Sequence, residues 1–203
     1  MGTMLHVSTN RAGAVQTSAW KPAIEDPMKR MLFILVCAAL ASVGCARVQK
    51  IVTKTPGATV TLLPTRGHDA RGTLRFTQGT EMVVITGTIS GLTPGPHAIH
   101  IHEKGNCTAP DASSAGGHFN PHGAPHGGPY DAGHHAGDLG NITAGDDGIA
   151  EVSIEADRLS LGTERHSVIG RSVIIHAGPD DYKTQPSGNA GGRVACGLIS
   201  KDP

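Results

Sequence analysis

Residues 58–103 read ATVTLLPTRGHDARGTLRFTQGTEMVVITGTISGLTPGPHAIHIHE, and their pattern decides the fold class. Within them, ATVTLLP, RGTLRFT, MVVITGTISGL and HAIHIHE are short β-rich runs cut apart by Gly, Pro and Asp. Runs of this kind, several in succession, read as strands. Working outward, residues 104–137 have almost no apolar periodicity and are dominated by Gly, Pro, His, Ser and Ala. A structureless segment that long inside a domain is usually functional. Strand signals resume in DLGNITA, IAEVSIEA, RSVIIHA and RVACGLIS, and a second irregular stretch, residues 178–192, precedes the last of them. The expected fold is all-β: an eight-stranded antiparallel Greek-key sandwich or flattened barrel with two long functional loops. Asp147-Gly148 is expected to turn a hairpin between two of the strands. There is no tandem repeat and no helical pattern of domain size.

Composition narrows the function. The chain has 203 residues and a formal net charge of +0, which argues against a nucleic-acid partner. Only 17% of residues are charged and 3% aromatic, with 28 Gly and 13 Pro, so the core must be built from Val, Ile, Leu and Ala. Histidine is the outlier: 12 copies, eight of them between His97 and His135.

Residues 28–45, MKRMLFILVCAALASVGC, have a basic start, an apolar run too short to span a bilayer comfortably, and small residues before a cysteine. This is the layout of a secretory signal peptide. Gly44-Cys45 resembles the end of a lipoprotein signal, which would place a lipid on Cys45; cleavage after Ala46 is the rival. Residues 1–27 show no periodic apolar pattern, and Met28 is the expected start of translation. Residues 46–57 read as a tether and residues 58–203 as the functional domain. Export to the periplasm or cell envelope, with membrane contact only through an N-terminal lipid, follows. Cys37 and Cys45 lie in the signal segment, so export leaves Cys107 and Cys196 as the natural disulfide pair in an oxidising compartment.

His100-Ile101-His102 sits in a strand, where residues i and i+2 share a face, so both imidazoles project together. The long loop adds GGHFNPHGAPHGGPYDAGHHAGDLGN. In it His126 follows His118 by 8 residues, His135 follows His118 by 17, and Asp138 follows His135 by 3. His176 ends the strand SVIIHA. Imidazole suits copper and zinc, and an added carboxylate favours zinc. A flexible His-rich tract that binds metals loosely is the alternative that these residues alone leave open.

The motifs HAIHIHEKGNC, GGHFNPHGAPHGGP, HAGDLGN, GRSVIIHAGPDD and GNAGGRVACGLI resemble those of copper-zinc superoxide dismutases, in order, across nearly all of Ala58 to Ser200. The resemblance implies one copper and one zinc ion per chain. His100, His102, His118 and His176 match the copper ligands. His118, His126, His135 and Asp138 match the zinc ligands, His118 being the ring shared by both. Asp180 matches the carboxylate that links a copper-ligand and a zinc-ligand histidine, and Arg193 the arginine that attracts the superoxide anion. Cys107 and Cys196 match the family's disulfide. The implied activity is dismutation of superoxide to dioxygen and hydrogen peroxide, protecting the cell envelope, with His118 and Arg193 in catalytic roles. Cys107 lies only five residues after His102, and residues 178–192 lack a charged insertion. Both features resemble the bacterial secreted, periplasmic type more than eukaryotic members, and leave monomer or homodimer open.

The remaining candidates take plainer readings. His97 is out of phase with His100 and His102 and is expected to be structural. His134 loses to His135 because only His135 has the three-residue offset to Asp138. His122 has no ligand counterpart, and His68, His166 and Asp181 are expected at the surface. The rival function is a non-enzymatic copper-binding or delivery module on the same fold; such modules typically lack copper ligands or the arginine, all of which are present here.

Overall fold

The computed structural model describes residues 55–203; the signal segment, Cys45 and the tether up to residue 54 lie outside the described residues. Eight strands build the molecule: β1 (Gly57–Pro64), β2 (Arg71–Gln78), β3 (Val83–Ser90), β4 (Gly95–His102), β5 (Asp138–Ala144), β6 (Ala150–Ala156), β7 (Ser172–His176) and β8 (Arg193–Leu198). A two-residue strand, β9 (Ser200–Lys201), pairs with the start of β1. All strand pairings are antiparallel, in the spatial order β5-β4-β7-β8-β1-β2-β3-β6. β1 joins the two halves, pairing with β2 along most of its length and with Cys196 and Ala195 of β8 through Leu63 and Pro64. The result is a nearly closed barrel.

Alternation explains the interior. Ala58, Val60 and Leu62 of β1, Leu74 and Phe76 of β2, and Val83, Ile85 and Ile89 of β3 are buried, while the residues between them are partly or fully exposed. β4 and β7 differ, because both of their faces are covered. Ile99, Ile101, Val173 and Ile175 face the barrel core. The opposite face of the same sheet carries Ile174, which packs with Ala112, Ala115 and Cys196 in a second, smaller cluster beneath the long loop. No helix among the described residues is long and apolar enough to cross a membrane.

The turn at Asp147-Gly148 forms, but no hairpin follows it. Gly148 donates to Gly145 O at 2.9 Å, and Gly145 donates to Ile149 O at 2.9 Å. Beyond that point β5 pairs with β4 and β6 with β3, so the two strands diverge to opposite edges of the strand order. β5 and β6 remain close in space but exchange no strand pairing, and the seam between them is where the barrel stays open.

The long loop, residues 103–137, is stitched down by main-chain bonds. Glu103 N donates to Gly117 O at 2.9 Å and Lys104 N to Ala115 O at 3.0 Å. Phe119 N then donates to Ile101 O at 2.7 Å, and Gly137 N to Phe119 O at 2.9 Å. His102 and His118 are paired in an antiparallel bridge as a result. A Cβ at Gly137 would fall on the Ile101 carbonyl, so this strip of loop can lie against β4 only with glycine there. The disulfide Cys107–Cys196, with Cα atoms 5.8 Å apart and 89 residues between them in sequence, ties the same loop to β8. On the chain-entropy model a closure of that length stabilises by roughly 4–5 kcal/mol. Replacing Cys107 by Ser should therefore lower the thermal midpoint by roughly 10 °C or more in a domain of this size. Scanning calorimetry of oxidised wild type and variant checks it; equal midpoints would mean that the small cluster and the main-chain bonds hold the loop unaided.

Candidate metal centre

His100 and His102 project from β4 on one face, as the two-residue period requires. The strand register then supplies their neighbours. Asp138, the first residue of β5, lies opposite His100. His176 ends β7 beside β4 and is paired with Arg193, the first residue of β8. An irregularity between Ile175 and His176 interrupts the register there, and such a break re-aims a side chain. The stitched loop brings in His118, His126 and His135. Two groups of ligand atoms emerge, each with all its members within 4.8 Å of one another: His100, His102, His118 and His176, and His118, His126, His135 and Asp138. His118 belongs to both. All seven residues are buried.

Outer hydrogen bonds orient the rings. His100 Nε2 and His126 Nε2 reach the two oxygens of Asp180 at 2.8 and 2.9 Å. His102 Nδ1 faces Gly116 O at 2.9 Å and His176 Nδ1 faces Gly191 O at 3.3 Å. His118 Nδ1 lies 2.7 Å from Asp138 Oδ1, and His135 Nδ1 lies 3.2 Å from the same oxygen. His100 Nδ1, His102 Nε2, His118 Nε2 and His176 Nε2 are buried without a hydrogen-bond partner, as is His126 Nδ1, which lies 3.1 Å from Asp138 Oδ2 within the second group. Buried imidazole nitrogens seldom go unpaired, because the desolvation is uncompensated. Five of them converging on two adjacent points, with neutral nitrogen donors and one carboxylate, fit a pair of transition-metal ions.

Burial and charge set the protonation of these rings and carboxylates. Burial, reinforced by neighbouring rings, pushes His102 down to about 2, His176 to about 3 and His118 to about 4, so all three are neutral at physiological pH. Burial works against ionisation of Asp138, but hydrogen bonds from His118 and His135 outweigh it and hold the carboxyl well below its usual range. Asp180 is likewise held low against burial by His100, His126 and the Tyr182 N–H.

One side of the centre opens into a cleft of about 430 Å³, lined by His102, His118, Asn120, His135, His176 and Arg193 among others. Arg193 donates to Ala112 O and Gly116 O, both at 2.7 Å, and stays cationic although burial lowers its proton affinity. A similar-sized cleft around Tyr130 and Arg158 contains none of the seven residues.

The plainer histidines fall elsewhere. His97 bonds His176 O and Thr93 O, both at 2.8 Å, and joins neither group. His134 bonds Asp131 O at 2.9 Å. Asp181 bonds Lys183 N and Thr184 within its own loop. Sequence reasoning missed Asn141, which clamps Asp180 by accepting from its N–H at 2.7 Å and donating to its carbonyl at 3.0 Å. It also missed Gln185, which brackets the His126 main chain at 2.8 Å on both sides. Asn141 closes the motif HAGDLGN and was visible there; Gln185 and the carbonyls of Gly116 and Gly191 carry no sequence signal.

The lowered proton affinities predict an acid-sensitive metal-free protein. Unfolded rings take up protons near 6.5, whereas folded His118, His176 and His102 resist until about 4, 3 and 2. Their contribution to stability is complete above about 6.5 and is lost as pH falls through the window below it. Depressed Asp138 and Asp180 add a loss of the same sign below their usual range. The thermal midpoint of chelator-treated protein should drop by more than about 5 °C between pH 8 and 4.5. A flat profile would mean that the rings protonate without unfolding the site.

A family model described as copper/zinc superoxide dismutase matches residues 70–199, a span that contains all seven residues, Asp180, Arg193 and both cysteines of the disulfide. Among solved structures, one titled as the clock protein EA4 is similar at 40% sequence identity with a TM-score of 0.66, covering 73% of this chain and 96% of that one. With the barrel, the paired histidine groups and the matched span in agreement, this chain belongs to the copper/zinc superoxide dismutase family.

Proposed function

We propose that this chain dismutes superoxide, converting two superoxide anions and two protons into dioxygen and hydrogen peroxide at a copper–zinc centre. The observation that carries the reading is His118, which offers Nδ1 to one group and an unpartnered Nε2 to the other, at a cleft that also holds a cationic arginine. His100, His102, His118 and His176 would hold copper, and His118, His126, His135 and Asp138 zinc. Bound copper supplies the one-electron redox couple and zinc a fixed, redox-inert charge.

The chain's own residues do the rest. Arg193 presents a positive charge at the cleft and draws in a small anion that the neutral chain as a whole would not attract. His118 Nε2 is the ring atom placed to take and return a proton where product leaves. Asp180 fixes the planes of His100 and His126 together, coupling the two halves of the centre. Export through residues 28–45 is part of the same proposal, and the Cys107–Cys196 disulfide suits an oxidising compartment. Lipid attachment at Cys45 would hold the domain at the envelope.

Purified protein should contain one copper and one zinc per chain, lose dismutase activity on copper removal and regain it on reloading. His118→Ala should abolish nearly all activity. Copper-loaded protein without activity would instead favour a non-enzymatic copper-binding module.

Arg193→Glu should lower the second-order rate with superoxide by at least about tenfold and remove or invert its decrease with salt. The copper spectrum and the zinc content should barely change. Arg193→Lys should keep much of the rate but lose the fork that pins Ala112 and Gly116, and with it some thermal stability. Pulse radiolysis across ionic strength reads both; an Arg193→Glu variant with wild-type rate and salt slope would remove Arg193 from substrate attraction.

A further inference from the structure

We propose that His122 and His166 form a third metal site, on the surface, that binds one divalent zinc or copper ion and clips two loops together. Neither ring enters the buried centre. His122 is exposed on the loop of residues 103–137, and His166 is half-buried on the connection between β6 and β7. Residues 44 apart in sequence, they place their Nε2 atoms 2.6 Å from each other, with ring centroids 4.8 Å apart. No other hydrogen bond to either ring is present among the described residues.

Two imidazoles that face each other through Nε2 hold a single proton between two lone pairs. An ion in place of that proton engages both. Donors about 2.0–2.1 Å from one ion lie about 2.8–3.0 Å apart at a cis-planar angle and about 3.3–3.4 Å apart at the tetrahedral angle. The rings now meet almost end to end, so the present separation has to open by about 0.2–0.8 Å and both rings have to tilt off the line between the two nitrogens, motions open to side chains at the surface. Imidazole pairs suit zinc and copper, and the exposed position leaves the other coordination sites to water.

Both carriers are braced before any ion arrives, which lowers the ordering cost of binding. Asn120 accepts from Ala124 N at 3.0 Å and donates to Ala124 O at 2.8 Å, closing the turn that holds His122. The main chain of His166 is held by Ser160, whose N–H donates to His166 O at 3.0 Å, and by the parallel bridge between Ser160 and Ser167. An ion bound here would join the loop that carries His118 and His126 to the β6–β7 connection, outside the disulfide.

The test uses the full chain after its tight sites have been saturated with copper and zinc and excess metal removed. Equilibrium dialysis against zinc, followed by elemental analysis, should show one further ion per chain in wild type. His122→Ala and His166→Gln should each bind one ion fewer while keeping the tightly held metal and dismutase activity. That difference of one ion is read whatever the buried centre contains, so it separates this site from the proposal above. Added zinc should also raise the thermal midpoint of wild type and leave both variants unmoved. With copper as the probe, electron paramagnetic resonance should gain a second Cu(II) signal that both variants lack. Wild type that takes up no further ion, or variants that bind as many as wild type, would overturn the site.

Discussion

Phe119 exchanges main-chain hydrogen bonds with two segments, donating to Ile101 and accepting from Gly137, and the geometry of the centre depends on that exchange. It lays the loop against β4 so that His118 pairs with His102, and it places Gly137 so that β5 can begin at Asp138, opposite His100. His118 of the loop and Asp138 of β5 are thereby indexed to His102 and His100 on one strand. Main-chain bonds set this spacing, so it does not rely on the rings finding one another. Arg171 reinforces the point from outside, with its guanidinium carbon 3.6 Å from the centre of the Phe119 ring.

On that frame the carboxylates solve an orientation problem. Seven closely packed polar residues, six of them imidazoles, would scatter into many hydrogen-bonded arrangements if each ring could turn freely. Asp180 takes the outer nitrogens of His100 and His126, Asp138 takes His118 and His135, and backbone carbonyls take His102 and His176. His100, His102, His126 and His176 are each left with one inward nitrogen, His118 faces one group with each of its nitrogens, and His135 Nδ1 meets Asp138 inside the second group, the arrangement a pair of metal ions requires. The same burial that strips water from the rings keeps His102, His118 and His176 neutral, so protons do not compete for those nitrogens at physiological pH.

The second loop, residues 177–192, serves the first. Its main chain bonds back on itself through Ala177 and Gly178, and it carries Asp180 inward. Gly188, with φ +71°, lies where any Cβ would strike the Asp180 carboxylate and the His126 ring. Asn141 on β5 holds the other side of Asp180. The carboxylate is thus fixed from a strand and from its own loop, and it bonds one ring of each group. Arg193 plays a double part, since the guanidinium that lines the cleft also fastens the first loop at Ala112 and Gly116.

Much of this was legible in the chain itself. The two-residue alternation in β1, β2 and β3 determined which side chains face the core, and His100-Ile101-His102 had to put two imidazoles on one face, because both depend only on local backbone geometry. The ordered motifs marked the histidines, Asp138, Asp180 and Arg193 that the fold gathers, and the cysteines it joins. Tertiary structure alone decided the rest. Asp147-Gly148 turns the chain as its residues demand, yet beyond it β5 pairs with β4 and β6 with β3, partners chosen across the whole sheet and not by the turn. Nothing local in HFNPHGAPH or ERHSV says that His122 and His166 will meet, nor that Gln185 will bracket His126. Those contacts join segments tens of residues apart. Their partners are chosen by how two loops pack over the same sheet, and no sequence window contains both sides of that choice.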